Sequence, residues 1–286
     1  MPKFSIIIPI FNAAETLAET LQSVKKQSYA DWEIVAVDDG SIDNSASIFS
    51  EEMADHENAK IISQENCGLG AARNTAAKNA TGDWLVFLDA DDFWSSNKLA
   101  VLAAEIESNP EAEFVYHAIF ERNPKGLLRE RNFAAVESLE EFIQGGNPFV
   151  PSAAAIKKSI FNAGGAFVED RTQVEDLLLW FRLFARKTVF LAIPKALTVY
   201  RVGHGVTANL EEHLQKVARA INQAEEEKLI SAAQKATFLA RKNYEAARQL
   251  HKEGKFISAL CFYELLKMKD VKTKVLIVAC KAGISL

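Results

Sequence analysis

The sequence predicts an α/β protein in which a mostly parallel sheet is flanked by helices and followed by an all-helical C-terminal extension. Over the first 120 residues, short apolar segments alternate with amphipathic stretches long enough to be helices, an order that produces βαβ units and a parallel sheet. After about Asn209 the strand pattern ends, and residues 210–269 have helical periodicity.

The predicted elements follow in chain order. Continuous apolar runs rich in β-branched residues predict strands at residues 4–9, 32–37, 60–63, 84–88, 114–120, 189–193 and 197–200. Helices are predicted at residues 12–27, 45–53, 68–79 and 174–186, and a helical hairpin turns at residues 252–255. A capping box would open the first helix, with Asn12 accepting a first-turn N–H and Glu15 reaching back to the Asn12 backbone.

Composition and charge limit the class of protein. The 286 residues are 49% hydrophobic and 25% charged, and the length fits one large domain or one domain with a smaller appendage. The net charge of −5 divides into −10 over residues 1–209 and +5 over residues 210–286, so we expect no nucleic-acid binding by the acidic part. Three scattered cysteines without CxxC spacing, and apolar runs far shorter than about 20 residues, predict a cytoplasmic protein.

Polar side chains follow the ends of the predicted strands, at the edge where open α/β sheets bind ligands. The residues past the strand ends include Pro9, Phe11, Asn12, Asp39, Arg73, Asp89, Asp91 and Asp92, and most of the polar ones are acidic. An acidic edge that binds an anionic nucleotide needs a cation, and Asp89-x-Asp91 offers hard oxygen ligands for Mg²⁺ or Mn²⁺. Each signal alone has an ordinary alternative, because residues 89–92 would also cap the next helix and residues 39–41 would also form a turn.

In their order and spacing, these residues resemble the family 2 glycosyltransferases of the GT-A fold. The matching stretches are SIIIPIFN (5–12), VDDGS (37–41), NCGLGAARN (66–74), FLDADD (87–92), VEDL (174–177) and YR (200–201). The resemblance covers residues 3–207 and is most specific over residues 4–92. It implies a catalytic domain at residues 1–209, with a nucleotide-sugar half at 1–112 and an acceptor half at 113–209, and a helical extension at 210–286.

The resemblance also implies roles for the matching side chains. The donor contacts would be Pro9, Phe11, Asn12, Asp39, Arg73, Asp89 and Arg201, with Phe11 stacking on the base, Asp39 accepting a hydrogen bond from it and Asp89 binding the ribose. Asp91 would ligate a divalent cation, with His204 as a further candidate ligand, and Asp176 would be the catalytic base. Two positions depart from the family pattern: Gly203 intervenes before His204, and Phe11 replaces a frequent tyrosine and lacks its hydroxyl.

The implied activity is transfer of a sugar from a nucleoside-diphosphate sugar to an acceptor hydroxyl, with inversion, in cell-surface polysaccharide or glycan synthesis. UDP is the first expectation for the carrier, while GDP and dTDP stay open. A positioned carboxylate such as Asp176 takes the proton of a poorly nucleophilic hydroxyl. A metal on Asp91 offsets the charge that gathers on the departing diphosphate. The acceptor would be a sugar or a lipid-linked glycan, and residues 121–170 contain no pattern that identifies it.

Three other classes fit the sequence less well. A nicotinamide-dependent oxidoreductase needs a GxGxxG turn after the first strand, where this chain has IFNAA at residues 10–14. A sugar-nucleotide nucleotidyltransferase needs a glycine-rich basic loop after the first strand to hold a triphosphate, and residues 10–14 do not form one. A non-catalytic sugar-nucleotide-binding or scaffold protein would have lost the base or the metal ligand, whereas Asp176 and Asp91 are both present.

The C-terminal extension leaves two interpretations open. Residues 231–286 carry a net charge of +7, and lysines surround apolar residues at 271 and 275–278. A basic amphipathic segment can lie on an anionic membrane surface, here the inner face of the cell membrane, where each nearby lysine contributes about 1 kcal/mol. The alternative, which we favour at this stage, is a helical hairpin packed on the catalytic domain with its lysines in solvent.

Overall fold

The computed structural model describes residues 3–202, 210–266 and 271–284, with Val271 and Lys272 as backbone alone. The strands in these residues are β1 (Phe4–Ile10), β2 (Trp32–Asp38), β3 (Ala59–Ser63), β4 (Trp84–Phe87), β5 (Phe93–Trp94), β6 (Phe114–Arg122), β7 (Leu128–Arg131), β8 (Ala154–Lys157) and β9 (Phe190–Arg201). The helices are α1 (Leu17–Lys25), α2 (Ser45–Glu52), α3 (Leu69–Asn79), α4 (Lys98–Ser108), α5 (Leu139–Gly145), α6 (Lys158–Ala163), α7 (Leu177–Ala185), α8 (Leu210–Glu226), α9 (Ala232–Lys252), α10 (Phe256–Glu264) and α11 (Val271–Lys281). A short 3₁₀ turn, Pro151–Ala153, precedes β8.

The strands form one sheet in the order β3-β2-β1-β4-β8-β6-β9-β5, and β7 pairs with β6. The half predicted from βαβ units is parallel, because β1 pairs in parallel with both β2 and β4, and β2 with β3. The other half is mixed: β8 runs antiparallel to β4 and β6, whereas β9 is parallel to β6. The predicted α/β fold class with flanking helices and a helical C-terminal region is confirmed.

Three short strands have no clear signal in the sequence. β5 has two residues, β7 is exposed along its length and β8 begins with two alanines, so none contains the β-branched apolar run of a buried strand. The two strands predicted at residues 189–193 and 197–200 are one strand, β9, which continues through Pro194 and Lys195.

The two faces of the sheet have separate cores, and β1 contributes to both. It is buried along its whole length, because it lies between β2 and β4 under helices on both faces. Since successive side chains alternate across a strand, Ile7 belongs to the core that includes residues of α3, α5, α7 and α8, whereas Ile6 and Ile8 belong to the core that includes residues of α1, α2 and α4. The sheet edge between these cores is therefore held rigidly from both sides.

The helical extension is divided by its packing. Val217, Ile221 and Phe238, on α8 and the first part of α9, belong to the same apolar core as α5 and α7. The last part of α9 packs with α10 and α11 in a small core of its own. The predicted turn at residues 252–255 is confirmed between α9 and α10, with Gly254 at φ +75°. No helix among the described residues is long and apolar enough to cross a membrane.

The predicted capping box at Asn12 and Glu15 is wrong. The helix begins only at Leu17, and Asn12 adopts φ +49° in the turn that follows β1. Its Oδ1 accepts a hydrogen bond from the Ile42 backbone N–H at 2.9 Å. Asparagine tolerates this left-handed conformation, so its side chain joins two loops instead of capping its own helix.

Candidate functional site

The carboxyl ends of β1, β2 and β4 meet at one edge of the sheet. The Asp39 backbone N–H donates to Ile10 O at 2.8 Å, and the Asn12 N–H donates to Ser41 Oγ at 3.0 Å. Immediately before α1, Thr16 Oγ1 donates to Ala90 O at 2.8 Å. The loops at residues 11–13, 38–41 and 89–92 therefore lie side by side, as the sequence predicts for a ligand site in an open sheet.

Phe11 is the exposed aromatic side chain of this edge. It directly follows β1, and 51% of its side-chain surface is accessible. Pro9 lies inside β1 and is buried, so its side chain does not face solvent. Asn12 is exposed, but its side chain holds Ile42. Of the three predicted donor contacts at the end of β1, Phe11 therefore offers an exposed aromatic ring, whereas Asn12 is exposed but bonded to the next loop.

Asp39 is buried and holds the loop that precedes α3. Its Oδ1 accepts from Gln64 Nε2 at 2.7 Å and from the Cys67 N–H at 2.9 Å. Its Oδ2 accepts from the Gly68 N–H at 2.8 Å. The side chain predicted to read the nucleotide base thus fixes the loop between β3 and α3 as well.

Arg73 joins two acidic segments instead of lying in solvent. The guanidinium is buried, with Nη2 at 2.5 Å from Asp89 Oδ1 and Nη1 at 2.6 Å from Glu175 Oε1, and it lies 5.2 Å from the centre of the Phe167 ring. Burial acts to lower the pKa of Arg73, but Asp89 and Glu175 outweigh burial and raise it. Arg73 therefore remains a cation between the loop after β4 and the segment before α7.

A glycine explains why that segment can approach α3. A Cβ on Gly70 would lie 2.0 Å from Val168 O and 3.1 Å from Glu175 Cβ, so only a glycine fits at this crossing. The Val168 N–H donates to Glu175 O at 2.9 Å and closes the loop on itself. Gly70 of the NCGLGAARN stretch thereby lets Glu175 and Asp176 approach the loop of residues 89–92, which we call the carboxylate loop.

Asp176 lies half-buried at the start of α7, where Trp180 Nε1 donates to its Oδ2 at 3.1 Å. Loss of hydration, reinforced by the neighbouring Glu175 carboxylate, raises the pKa of Asp176 to about 7, while Arg73 acts in the opposite direction. A carboxyl group with a pKa near neutrality is suited to accept a proton during a reaction.

Arg201, at the end of β9, holds the loop of residues 89–92. Its backbone N–H donates to Asp92 Oδ1 at 3.0 Å, and its Nη1 donates to Asp91 O at 2.5 Å. Its guanidinium also pairs with Glu19 on α1. Burial, together with Asp89 and Asp91, raises the pKa of Asp92 well above its ordinary value. The predicted donor contact Arg201 thus lies directly beside the predicted metal ligand.

Two residues of the site were not assigned a role from the sequence. Burial and then the Asp92, Asp89, Asp91 and Asp176 carboxylates raise the pKa of Tyr200, so its hydroxyl lies in the field of all four. Ser152, in the 3₁₀ turn, accepts from the Asp89 N–H at 3.0 Å through its Oγ. The YR stretch contains Tyr200, so the sequence could have identified it as a site residue, whereas Ser152 lies in a region without a recognisable motif.

The oxygen donors of this edge suit a hard divalent cation. Within the described ranges, no three His, Cys, Asp or Glu side chains are grouped as a metal cluster. An ion that bridges a diphosphate does not need one, because Mg²⁺-type ions take one or two protein carboxylates and complete their shell with phosphate and water. Asp91 is partly exposed on the loop and fits that requirement. His204, the further candidate ligand, lies outside the described residues.

The sequence profile of the family described as "Glycosyl transferase family 2" matches residues 5–165, more than half of the chain. The chain belongs to glycosyl transferase family 2. The resemblance predicted from the motifs is confirmed, and the matched region contains Phe11, Asp39, Arg73, Asp89 and Asp91. Asp176 and Arg201 lie beyond its end.

Relatives of family 2 are similar over different parts of the chain. UDP-Glc:alpha-D-GlcNAc-diphosphoundecaprenol beta-1,3-glucosyltransferase WfgD of Escherichia coli is 39% identical over 113 residues, which are 39% of this chain and 44% of WfgD. Amylovoran biosynthesis glycosyltransferase AmsB of Erwinia amylovora is 28% identical over 225 residues, 73% of this chain and 72% of AmsB. The chain therefore matches less than half the length of WfgD.

The fold is shared with solved structures of glycosyltransferases. The mannosyltransferase PcManGT from Pyrobaculum calidifontis, solved in complex with GDP-Man and Mn²⁺, superposes with a TM-score of 0.66 at 21% sequence identity. The superposition covers 98% of this chain and 80% of PcManGT. At this level of identity the likeness establishes the fold, which is of the GT-A type.

Proposed function

We propose that this protein transfers a sugar from a nucleoside-diphosphate sugar to an acceptor hydroxyl with inversion at the anomeric carbon. The observation that carries the proposal is the Glu175–Arg73–Asp89 chain of ion pairs, which joins the segment of a near-neutral carboxyl group, Asp176, to the carboxylate loop. Membership of family 2 supports the same activity. Residues 1–209 would form the catalytic unit, with nucleotide-sugar and acceptor halves meeting at residue 112.

The donor would lie along the edge formed by the first, second and fourth strands. The exposed Phe11 ring would stack on the base. Asp39 would accept a hydrogen bond from the base, since its Oδ2 accepts one bond from the protein and a carboxylate oxygen has two lone pairs. Asp89 would bind the ribose while Arg73 holds it in place. Pro9 and Arg201, in the adjoining strands, and Asn12, in the turn after β1, would complete the donor contacts.

Asp91 would hold a divalent cation, Mn²⁺ or Mg²⁺, against the donor diphosphate. Bound there, such an ion supplies Lewis-acid stabilisation of the charge on the leaving group. The hard oxygen donors of the loop and the Mn²⁺ bound in PcManGT support this assignment. Arg201 would keep Asp91 in place through its hydrogen bond to the Asp91 carbonyl.

The chemical step would be a direct displacement. The acceptor oxygen forms a bond to the anomeric carbon as its proton passes to the Asp176 carboxylate. The bond from that carbon to the diphosphate breaks, and its electron pair leaves with the nucleoside diphosphate. Trp180 directs the carboxylate through the hydrogen bond that its Nε1 donates to Oδ2. A single displacement inverts the configuration.

We propose UDP as the carrier and a sugar or lipid-linked glycan as the acceptor, in synthesis of surface polysaccharide. The similarity to WfgD, whose name specifies UDP-Glc and a diphosphoundecaprenol-linked sugar, supports both parts. AmsB, named for amylovoran biosynthesis, supports the polysaccharide context. GDP-linked sugars are the alternative, given the GDP-Man bound by PcManGT.

A second proposal is peripheral contact with the inner face of the cell membrane through the C-terminal helices. The observation that favours it is the exposure of apolar side chains there: Ile257, Leu265, Val275, Val278 and Ile284. They make up half of the ten large hydrophobic side chains found exposed in the described residues. Exposed Lys274 and Lys281 flank the two valines of α11 and would meet anionic headgroups.

A panel of nucleotide sugars tests the proposed activity. A donor that binds the folded protein raises its melting temperature by mass action, so the panel identifies the carrier and the sugar. Slow release of free nucleoside diphosphate by the wild-type protein, lost in Asp176→Asn, then separates an enzyme from a binding protein. Stabilisation by a donor without any hydrolysis or transfer would favour the non-catalytic scaffold instead.

A further inference from the structure

A fully buried lysine lies beneath the carboxylate loop and takes no part in the chemistry proposed above. Lys98 is the first residue of α4 and has no solvent-accessible surface. Its Nζ donates to Ser152 O at 2.7 Å and to Thr198 Oγ1 at 3.3 Å, and it lies 3.9 Å from the centre of the Trp94 ring. Lysine is almost never buried completely unless it is paired, because burying the amine costs free energy. The position of Lys98 therefore suggests a specific role for the amine.

The partner of Lys98 is the residue that touches the site. Ser152 is fully buried, and its carbonyl also accepts from Trp94 Nε1 at 3.1 Å and Thr198 Oγ1 at 2.9 Å. Its side chain contacts the carboxylate loop, since Ser152 Oγ accepts from the backbone N–H of Asp89. A continuous path therefore leads from the Lys98 amine through Ser152 to the first aspartate of the loop.

Of the three hydrogen bonds to the Ser152 carbonyl, the one from Lys98 is the shortest. Lys98 also begins α4, the helix that follows the carboxylate loop and β5. Burial lowers the pKa of Lys98, while Asp92 acts in the opposite direction. The amine donates to the Ser152 carbonyl whether or not it carries the third proton, so the path does not depend on its charge. His117, buried nearby, is held neutral because burial and Lys98 keep its pKa well below the ordinary value.

We propose that Lys98 is a positioning residue, which fixes the backbone of Asp89 through the Ser152 turn and so sets the carboxylate loop for the donor. The proposal rests on the proposed function of that loop. Residues that support a metal or donor site from behind are typically worth about 10- to 100-fold in affinity or activity. We expect a loss of that size from removing either member of the path.

The test is a double-mutant cycle on turnover. Lys98→Met removes the amine at similar volume, and Ser152→Ala removes the hydroxyl but keeps the carbonyl. If both act through the same path, each lowers kcat by about 10-fold or more and the double variant is little worse than either single variant. Lys158→Met is the matched control, because Lys158 Nζ donates to Ala80 O at 2.5 Å, outside the path from Lys98 to Asp89; it should leave kcat unchanged.

Amide hydrogen exchange gives a readout that needs no turnover. The Asp89 amide should exchange about tenfold faster in both single variants, and at the wild-type rate in Lys158→Met, since only the first two break the path. If Lys98→Met does not fold, Lys98→Leu, which also removes the amine, replaces it in both measurements. Unchanged exchange at Asp89, or turnover losses that add in the double variant, would overturn the positioning role. Inactivity of the wild-type protein with every donor would refute the proposed function and leave the exchange result valid.

Discussion

Arg73 and Glu175 form a 2.6 Å ion pair that joins helix α3 to the residue immediately before Asp176. The two partners act on Asp176 with opposite signs. The Glu175 carboxylate raises the pKa of Asp176, and the Arg73 guanidinium lowers it. Because Arg73 also binds Asp89, the same guanidinium lowers the pKa of the proposed base and holds the carboxylate loop.

Glu175→Gln should shift the pH dependence of the reaction to lower pH. The variant removes a negative charge next to Asp176, so the pKa of Asp176 falls from about 7. The base must be ionised to work, and activity is lost as the pH falls through its pKa. The acidic limb of kcat/KM, which reports the free enzyme, should therefore move down. Glu169→Gln, on the same segment but exposed, is the control and should not move it. A limb that stays in place or moves up would contradict the role of Glu175.

Asp176→Asn should lower turnover by about 10²–10⁴-fold, the usual contribution of a positioned acid–base group. Nucleotide binding should stay near the wild-type affinity, because Asp176 does not contact the donor in the proposed arrangement. The measurement is kcat against the affinity for the nucleoside diphosphate by calorimetry. Near-normal turnover would reassign the base to another carboxylate.

The free energy of unfolding of Asp176→Asn should rise relative to that of the wild type as the pH rises. Folding raises the pKa of Asp176 from 3.8 to about 7, so the folded state retains a proton that the unfolded state has released between these values. Stability from this group is therefore lost as the pH rises through that window, and asparagine does not incur the loss. Urea unfolding at about pH 4 and about pH 8 should show that the free-energy difference between variant and wild type grows with pH. The opposite trend would show that folding does not raise the pKa of Asp176.

Much of the nucleotide half follows from local pattern. The run Ile6, Ile7 and Ile8 predicts a strand buried on both faces, and the carboxylates that follow the strands are expected to meet because parallel strands end at one edge. The structure brings Asp39 and Arg73 to that edge, but the sequence pattern does not identify their partners. Those partners are Gln64 and Glu175, which only the folded chain brings near.

The supporting layer is not predictable from pattern, since it depends on contacts between distant segments. Ser152 lies in a stretch of short elements whose alanines and prolines carry no period, yet it reaches Asp89, 63 positions earlier in the chain. Lys98 resembles any helix-initiating lysine until the burial of α4 is known. In both cases tertiary packing, not the residue type, determines the role.

Asp91→Asn should abolish the dependence of nucleotide binding on a divalent cation. In the wild type, we expect a nucleoside diphosphate to bind at least about tenfold more tightly with Mn²⁺ than in EDTA, a difference of about 1.4 kcal/mol. The variant should bind equally in both, because an ion of this kind has few protein carboxylates and cannot replace a lost one. Asp55→Asn, an exposed aspartate after α2, controls for the loss of charge. Equal wild-type affinity in EDTA and Mn²⁺ would remove the metal role of Asp91.

Val275→Ser with Val278→Ser should weaken binding to anionic vesicles. These side chains are 54% and 66% exposed on α11, so the substitutions remove apolar contact with lipid and leave the folded core untouched. Burying a valine is worth about 1.5 kcal/mol or more, so the pair should cost about tenfold or more in partitioning at low salt.

Leu127→Ser with Leu128→Ser is the matched control, because these residues are 66% and 59% exposed just before and at the start of β7. Co-sedimentation of the full chain with vesicles of phosphatidylserine and phosphatidylcholine measures the difference. Raising the salt should weaken the wild-type binding as well, since the lysines around α11 contribute through a screened attraction. If the wild-type protein stays in the supernatant, or if both double variants pellet equally, the C-terminal helices do not bind the membrane through this face. Their lysines would then lie in solvent.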